Sequence, residues 1–478
     1  MRTVWAAVAL AALAVLAACG GSSPPATPSS SSHSHSPGPQ PEVGLADGAD
    51  VGQYHGDARH TGAYQGVATP TSLAVGWNRE LDGAVYAQPL VVGGLAIVAT
   101  ENDTVYGLDA GTGAIRWQTH VGTPQQASAL PCGNIRPTVG ITGTPVYVAS
   151  TGRIYFVAEE DGPKHELIAV DARTGAVALR QNVDLGAAGT KPDAMQQRSA
   201  LTTANGRVYL TFGGRDGDCG TYRGQVIGVP LAGGTPVSYT VPTAREAGAW
   251  NAMGPAVDAA GDIFVSVGNG AAGEDPGHKD DPYDHSDAVL KLSPTLQLLD
   301  FFAPANWRTQ NAGDVDLGST GPTLLADGLL LAIGKSPTVY VTRQAALGGI
   351  GGQLSATGVC AGYGGTAQAG ATVYLPCTDG VRAVTVSGTG TVSTRWHAAE
   401  AVNGSPALGG GAVWVLDKSS STLHALAAAT GKDLASVRLP APVTRFATPA
   451  LSGHAAYVGT EQGVTAVAIS GPRRIGQT

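Results

Sequence analysis

One repeated pattern runs along most of the chain and limits what it can fold into. Each copy begins with a residue pair, often ending in proline, that starts a short first strand. Three strands follow: a Val/Ile-rich strand, a strand ending in an acidic turn, and a fourth strand. The clearest copy runs from Gln88 to Trp117. The second residues of the pairs are Pro89, Pro145, Leu201, Pro255, Pro322, Ala367, Pro406 and Pro449. Their spacings, 56, 56, 54, 67, 45, 39 and 43 residues, are typical of stacked four-stranded sheets.

Eight first strands predict an all-β, eight-bladed β-propeller of four-stranded antiparallel blades. Glycine accounts for 68 of 478 residues and charged residues for 13%, which favours turn-rich sheets, and no window after residue 50 keeps a helical period. The last blade, from Arg445, has only three strands before Ile469. We expect residues 75–81 to supply its fourth strand, so that the two chain ends close the ring. A seven-bladed ring with an extra hairpin is the alternative.

The N-terminus has the pattern of an export signal. Arg2 precedes an apolar run from Val4 to Ala18, which is too short to span a membrane. Residues 16–19 resemble the bacterial lipobox, whose cysteine is lipidated and becomes the mature N-terminus. We therefore expect a signal peptide at residues 1–18 and a lipid on Cys19 that anchors the chain to the outer face of the cytoplasmic membrane. An ordinary signal peptide with a chance cysteine is the alternative.

A tether follows this signal. From Gly20 to Pro41, 17 of 22 residues are Ser, Pro or Gly, and such a segment buries too little apolar surface to fold. We assign residues 19–48 to the lipidated cysteine and tether, 49–470 to the propeller and 471–478 to a tail. The net charge of −8 argues against a nucleic-acid partner. We expect a monomer.

Four cysteines remain in the exported part of the chain. They are Cys132, Cys219, Cys360 and Cys377. An even number in an exported protein predicts two disulfides, and the spacing does not match paired zinc-binding motifs.

The run from Leu108 to Trp117 resembles the repeat of the pyrroloquinoline quinone (PQQ)-like, or quinoprotein alcohol dehydrogenase-like, propeller family. The resemblance covers residues 50–470 and implies that the repeat tryptophan packs flat on the neighbouring blade, here at Trp77, Trp117 and Trp396. Two branches share this architecture. One contains quinoprotein alcohol dehydrogenases, and the other contains scaffold lipoproteins such as the propeller subunit of the outer-membrane β-barrel assembly machine.

The dehydrogenase branch implies a set of site residues. PQQ needs an aromatic floor, a calcium ion and a carboxylate base. By resemblance, Trp250 would be the floor and Asn269 a calcium ligand. Asp314 or Asp316 would be the catalytic base, and Lys335 would contact the quinone.

Two departures from the family pattern oppose that assignment. Cys219 stands where the family has a calcium-ligating glutamate, and sulfur is a poor ligand for calcium. Asp218 would point to the opposite face of a strand if the register holds, and it could replace that ligand only if the backbone bulges. The family's vicinal cysteines are also absent, with only Cys132 near their place. The resemblance therefore implies that Cys132 bonds Cys219 on adjacent blades and closes the cofactor cavity, while spacing alone pairs Cys360 with Cys377.

Two further segments carry hypotheses. The acidic loop at residues 274–287 holds eight possible oxygen or nitrogen ligands. It is either a calcium or zinc site or an irregular solvated excursion suited to partner contacts. The segment from Tyr54 to Gly62 resembles one that precedes many PQQ-like propellers, and we expect Asp57 and Arg59 to pin it across the ring.

These features predict a cell-envelope lipoprotein whose propeller is a non-catalytic scaffold without a cofactor. Its partner would be an envelope protein or polymer bound by the loops of one ring face. The alternative is a divergent PQQ- and calcium-dependent oxidoreductase acting on alcohols or sugars. A hydrolase or lyase on the same ring is a third possibility.

Overall fold

The computed structural model of the chain describes residues 45, 47–186, 189–273, 277–399 and 404–472. Eight blades of four antiparallel strands occupy this part of the chain, which confirms the predicted fold class. The predicted signal peptide, Cys19 and almost all of the tether lie outside the described residues. Among the described helices, none has the length and apolar character needed to cross a membrane.

Blades 1 to 4 follow one another along the chain. From inner to outer strand they comprise Leu90–Val92, Leu95–Ala99, Thr104–Asp109 and Ile115–His120; Val146–Val148, Arg153–Glu160, Lys164–Asp171 and Val177–Asn182; Thr202–Ala204, Arg207–Gly214, Gln225–Pro230 and Val237–Thr240; and Ala256–Val257, Ile263–Val267, Ala288–Leu292 and Leu298–Ala303. Two short strands extend blades 3 and 4, and a two-stranded pair lies between blades 1 and 2. These additions are Met195–Gln196, Gly349–Ile350, and Gln125–Gln126 with Thr138–Val139.

Blades 5 to 8 complete the ring. They comprise Thr323–Leu324, Leu329–Ala332, Thr338–Arg343 and Ser355–Gly358; Ala367–Ala369, Thr372–Cys377, Gly380–Val386 and Val392–Ala398; Ala407–Gly409, Ala412–Asp417, Thr422–Ala427 and Asp433–Arg438; and Ala450–Ser452, Ala455–Thr460, Gly463–Ser470 and Ser72–Glu80. Helices are scarce, as predicted. They are the α-helix Trp307–Ala312 and the 3₁₀ turns Tyr54–Gly56, Ala127–Ala129, Pro192–Ala194 and Leu317–Ser319.

Closure of the ring joins the two ends of the propeller. The strand Ser72–Glu80 pairs antiparallel with Gly463–Ser470 as the outer strand of blade 8. This confirms eight blades and the predicted source of the missing strand. Because closure covers two sheet edges, neither remains open to pairing with another chain.

Burial explains the strand pattern. The second strand of blade 8, Ala455–Thr460, is buried at every position, whereas the outer strand Val177–Asn182 has no buried residue. Inner strands lie between neighbouring blades and therefore take small and branched apolar residues on both faces. Outer strands face solvent and tolerate polar residues.

The three repeat tryptophans dock neighbouring blades, as the resemblance implied. The indole nitrogen of Trp117 in blade 1 donates to the carbonyl of Ala172 in blade 2, 3.2 Å away. Its ring lies against Gly175, where an added Cβ would come within 2.5 Å of the indole and where φ is +73°. Trp77 and Trp396 pack in the same way on Gly113 and Gly431. The repeat therefore needs glycine after threonine because the preceding blade's tryptophan takes the place of a side chain.

The segment from Tyr54 to Gly62 fills the centre of the ring. His55 lies within 3.1 Å of Thr448 and of the Thr366 carbonyl, which begin blades 8 and 6. Arg59 donates to the carbonyl of Leu324 in blade 5, and Asp57 accepts the Arg59 N–H within the segment. The predicted structural role is confirmed.

A buried acidic pair lies between blades 1 and 2. Asp103 is fully buried, and neither of its carboxylate oxygens has a hydrogen-bond partner in the protein. Burial, with the nearby Glu101, raises the pKa of Asp103 to about 9. Burial also raises the pKa of Glu101 to about 7. At neutral pH the folded chain therefore holds a proton on Asp103.

Replacing Asp103 with asparagine is expected to stabilise the protein increasingly as the pH rises. Between the ordinary pKa of 3.8 and about 9, the folded chain binds a proton that the unfolded chain has lost. The free energy of unfolding therefore falls by up to about 1.4 kcal/mol per pH unit from this group. Asparagine cannot ionise and removes that slope. Urea unfolding at pH 5, 6.5 and 8 measures it, with the exposed Asp161→Asn as control, and a wild-type-to-D103N difference that stays constant with pH would contradict it.

Candidate functional site

A cavity of about 280 Å³ lies on the ring axis. The loops that join successive blades and the turns between second and third strands share one end of the propeller, which we call the cavity face. Six of the eight junctions between blades contribute to the cavity lining. They do so through Asn134, Arg198, Trp250, Asp314 with Asp316, Tyr363, and Arg445 with Phe446.

All five site residues singled out by the resemblance line this cavity. Trp250 lies between blades 3 and 4, and Asp314 and Asp316 lie between blades 4 and 5. Asn269 and Lys335 come from the turns after the second strands of blades 4 and 5. The structure thus brings together residues spread over 86 positions, and their roles remain predictions.

Lys335 is held between two carboxylates. Its Nζ lies 2.5 Å from Asp314 Oδ1 and 2.7 Å from Asp316 Oδ2, and 5.8 Å from the centre of the Trp250 ring. Burial alone would lower the pKa of Lys335, but Asp316 and Asp314 raise it above its ordinary value. The side chain of Asp316 is 4% exposed and that of Asp314 is 65% exposed. A charged ammonium therefore neutralises the buried carboxylate.

Asn269 is committed to bonds within the protein. Its N–H donates to Asp316 Oδ1 at 2.6 Å, and its side-chain amide donates to Glu246 Oε2 at 3.3 Å. A Cβ at the preceding Gly268 would lie 2.3 Å from the same Asp316 oxygen. The Gly-Asn turn therefore serves to hold Asp316 in place.

The strand register assumed for Asp218 does not hold, and the alternative of an irregular backbone applies. The segment between strands Arg207–Gly214 and Gln225–Pro230 is a turn, so strand alternation does not apply. Asp218 has a left-handed backbone with φ of +46°, follows Gly217 at +98°, and lines the cavity. Its Oδ1 accepts the Tyr222 hydroxyl at 2.6 Å. Burial raises the pKa of Asp218, and the nearby Asp316 adds to that shift.

Both predicted disulfides are present. Cys132 bonds Cys219, with their Cα atoms 6.0 Å apart, and Cys360 bonds Cys377, at 5.7 Å. The expectation that the first bond closes the cavity is wrong. The cavity persists, and neither Cys132 nor Cys219 lines it, because the bond lies behind Gly217.

The donor set tests whether calcium fits this site. Calcium takes six to eight oxygen ligands, usually with two or more carboxylates. Here the oxygens of Asp314 and Asp316 already contact the Lys335 ammonium, and a disulfide sulfur takes the place of the family's glutamate. Across the described ranges, no three acidic, histidine or cysteine side chains come together to hold a metal ion. The residues do not fit a PQQ–calcium centre.

Several cavity residues had no signal in the sequence. Among them are Arg198, Tyr363, Arg445 and Phe446. These four come from three irregular loops up to 248 positions apart, and none belongs to a recognisable motif. Only the ring closure brings them together.

The described part of the acidic loop is partly buried. Glu274 and Asp275 lie outside it. Asp284 accepts the Ser286 hydroxyl at 2.5 Å, and Asp287 accepts the Leu317 N–H at 3.0 Å. Asp284 binds within the loop, whereas Asp287 ties it to the junction of blades 4 and 5, so the solvated excursion is wrong for residues 284–287.

Comparison with known proteins supports the fold. A family model described as outer membrane protein assembly factor BamB, PQQ_2, matches residues 67–213. No curated protein matches this chain in sequence. Three similar solved structures have TM-scores of 0.67, 0.67 and 0.56. They are the quinohemoprotein alcohol dehydrogenase ADHIIG of Pseudomonas putida HK5 (13% identity, 91% of this chain, 82% of that one), a europium-containing methanol dehydrogenase (15%, 88%, 98%) and BamB of Moraxella catarrhalis (17%, 85%, 99%).

At such identities these likenesses show the fold and leave the activity open. The family match falls on the ring-closing strand, blades 1 and 2 and the first two strands of blade 3, where two of the three Trp–Gly contacts lie. Together with the eight four-stranded blades and the similar solved structures, it shows that the chain has the PQQ-like β-propeller fold.

Proposed function

We propose that this chain is a non-catalytic binding propeller of the cell envelope, anchored through a lipid on Cys19. The loops of the cavity face would hold another envelope protein or an envelope polymer. The observation that carries the proposal is the ion cluster of Lys335 with Asp314 and Asp316. It uses the carboxylates that a quinoprotein would need for its metal ion and its base.

The form of the cavity face supports a binding role. The junctions before blades 2, 3 and 5 span residues 121–145, 183–201 and 304–322, longer than most turns within blades. Long loops on a rigid ring are where propellers place their binding contacts. The description of the matching family, an outer membrane protein assembly factor, suits a role of this kind.

The second candidate is a PQQ-dependent oxidoreductase acting on alcohols or sugars. One observation favours it: Trp250, Asn269, Asp314, Asp316 and Lys335 surround a single axial cavity. The structural similarity to two dehydrogenases concerns the fold alone, as does the similarity to BamB, so it does not favour either candidate.

Reconstitution separates the two candidates. We expect the full chain, incubated with PQQ and Ca²⁺ and then desalted, to show no calcium-dependent quinone absorbance and no dye-coupled oxidation of alcohols or sugars. Calcium-dependent retention of the quinone with turnover would overturn the proposal. A parallel sample with EDTA in place of Ca²⁺ identifies any quinone that the protein retains without the metal.

A further inference from the structure

One corner of the axial cavity carries excess positive charge. This arginine corner consists of Arg198, Arg445 and Phe446. The guanidinium carbons of Arg198 and Arg445 lie 5.9 and 5.2 Å from the centre of the Phe446 ring. It faces the Lys335 cluster across the cavity, but its residues come from the junctions before blades 3 and 8.

Arg198 has no acidic partner. Among the ion pairs of the described residues none involves it, and its guanidinium donates only to neutral oxygens, Asn134 Oδ1 at 3.2 Å and Gln196 Oε1 at 2.9 Å. Burial, with the like charge of Arg445, lowers the pKa of Arg198. A guanidinium nevertheless stays charged in proteins. The fold therefore keeps a partly buried cation without a directly paired carboxylate, an arrangement that a bound anion would stabilise.

Arg445 is only weakly compensated. Its guanidinium lies 3.6 Å from Asp216 Oδ1, and the two side chains are about half exposed, at 47% and 52%. Exposed pairs of this kind contribute about 0–1 kcal/mol. At the opposite side, Lys335 is matched by two carboxylates. The cavity is thus polarised, with its free positive charge at the arginine corner.

Aromatic side chains flank this charge. The rings of Tyr363 and Phe446 are nearly parallel, 17° apart with centres separated by 6.3 Å, and Trp250 lies 6.3 Å from each. Planar guanidinium groups pair with carboxylates through two parallel hydrogen bonds, and aromatic faces favour a flat ligand. The volume of about 280 Å³ suits a molecule of one or two rings.

We propose that the arginine corner binds a small aromatic carboxylate and needs no metal ion to do so. The carboxylate pairs with Arg198 and Arg445, and the ring lies among Trp250, Tyr363 and Phe446. This goes beyond the proposed function, which assigns a macromolecular partner to the outer loops, and it does not depend on it.

Calorimetric titration in EDTA tests this site with 2-naphthoate, and with 2-naphthamide as its neutral counterpart. We expect naphthoate to bind the full chain one to one and naphthamide to bind at least tenfold more weakly. Arg198→Gln and Arg445→Gln should each weaken naphthoate binding at least tenfold, whereas Arg438→Gln, on the exposed outer strand of blade 7, should not change it.

The Arg198→Lys variant is a milder substitution that guards against loss of binding through misfolding. It keeps the positive charge but loses the planar pairing, so we expect it to bind naphthoate with intermediate affinity. No naphthoate binding by wild-type protein, equal affinity for the amide, or full affinity in a folded R198Q variant would each overturn the proposal. EDTA removes any calcium-dependent quinone binding from the readout. Naphthoate binding, or its absence, therefore neither supports nor contradicts the proposed function, which the reconstitution with PQQ tests separately.

Discussion

Lys335→Met is expected to lower the free energy of unfolding by about 3–5 kcal/mol, the effect of removing one partner from a buried ion pair. The side chains of Lys335 and Asp316 are 19% and 4% exposed, so water cannot replace the lost ammonium at Asp316. The N–H of Asn269 alone would then compensate that carboxylate. Methionine retains most of the lysine stem, so the change in packing is small.

Urea unfolding of this variant measures the loss, and pH identifies its cause. We expect the difference from wild type to shrink between pH 7 and pH 4, because a protonated Asp316 no longer needs the ammonium. Lys418→Met is the matched control, since Lys418 pairs with Glu461 at 3.4 Å on the surface with 33% and 45% exposure. It should lose at most about 1 kcal/mol. A K335M loss no larger than that of K418M would show that the cluster does not stabilise the axial site.

Removing the Cys132–Cys219 bond is expected to lower the free energy of unfolding by about 4.5 kcal/mol. The bond spans 87 positions, and cross-links over such long loops restrict the unfolded chain most. It also holds the turn that presents Asp218 against the junction between blades 1 and 2. The Cys360–Cys377 bond spans 17 positions and should contribute about 3 kcal/mol by the same reasoning.

The double variant Cys132→Ser with Cys219→Ser is the direct test, by urea unfolding with and without reductant. Without reductant we expect the full loss relative to wild type. With reductant the two proteins should unfold at nearly the same urea concentration, because wild type then lacks the bond too. A gap that persists in reductant would assign the loss to the substituted side chains instead.

Much of the ring could be predicted because its signals are local and repeated. The pairs such as Gln88–Pro89 mark the first strand of each blade, and alternation within strands follows from which face is buried. The Trp117–Gly175 contact depends on two residues that recur at fixed places in the repeat. Counting strands also predicted ring closure by residues 75–81, and the strand Ser72–Glu80 supplies it.

The axial site was only partly predictable, because irregular loops build it. Strand alternation could not settle the position of Asp218, since the left-handed backbone at Gly217 and Asp218 obeys no alternation. The position of Cys219 in the sequence implied a closed cavity, but the bond lies beside the space. Arg198 and Arg445 meet only through tertiary structure, and no spacing in the sequence relates them.

A crystal structure of the full chain grown with PQQ and Ca²⁺ tests most directly whether lysine serves as the cation of the axial site. We expect the Lys335 ammonium to remain between Asp314 and Asp316 with no density for a metal ion beside Asn269. A calcium ion bound by Asn269 and Asp316, with the quinone stacked on Trp250 and Lys335 displaced from Asp316, would contradict it.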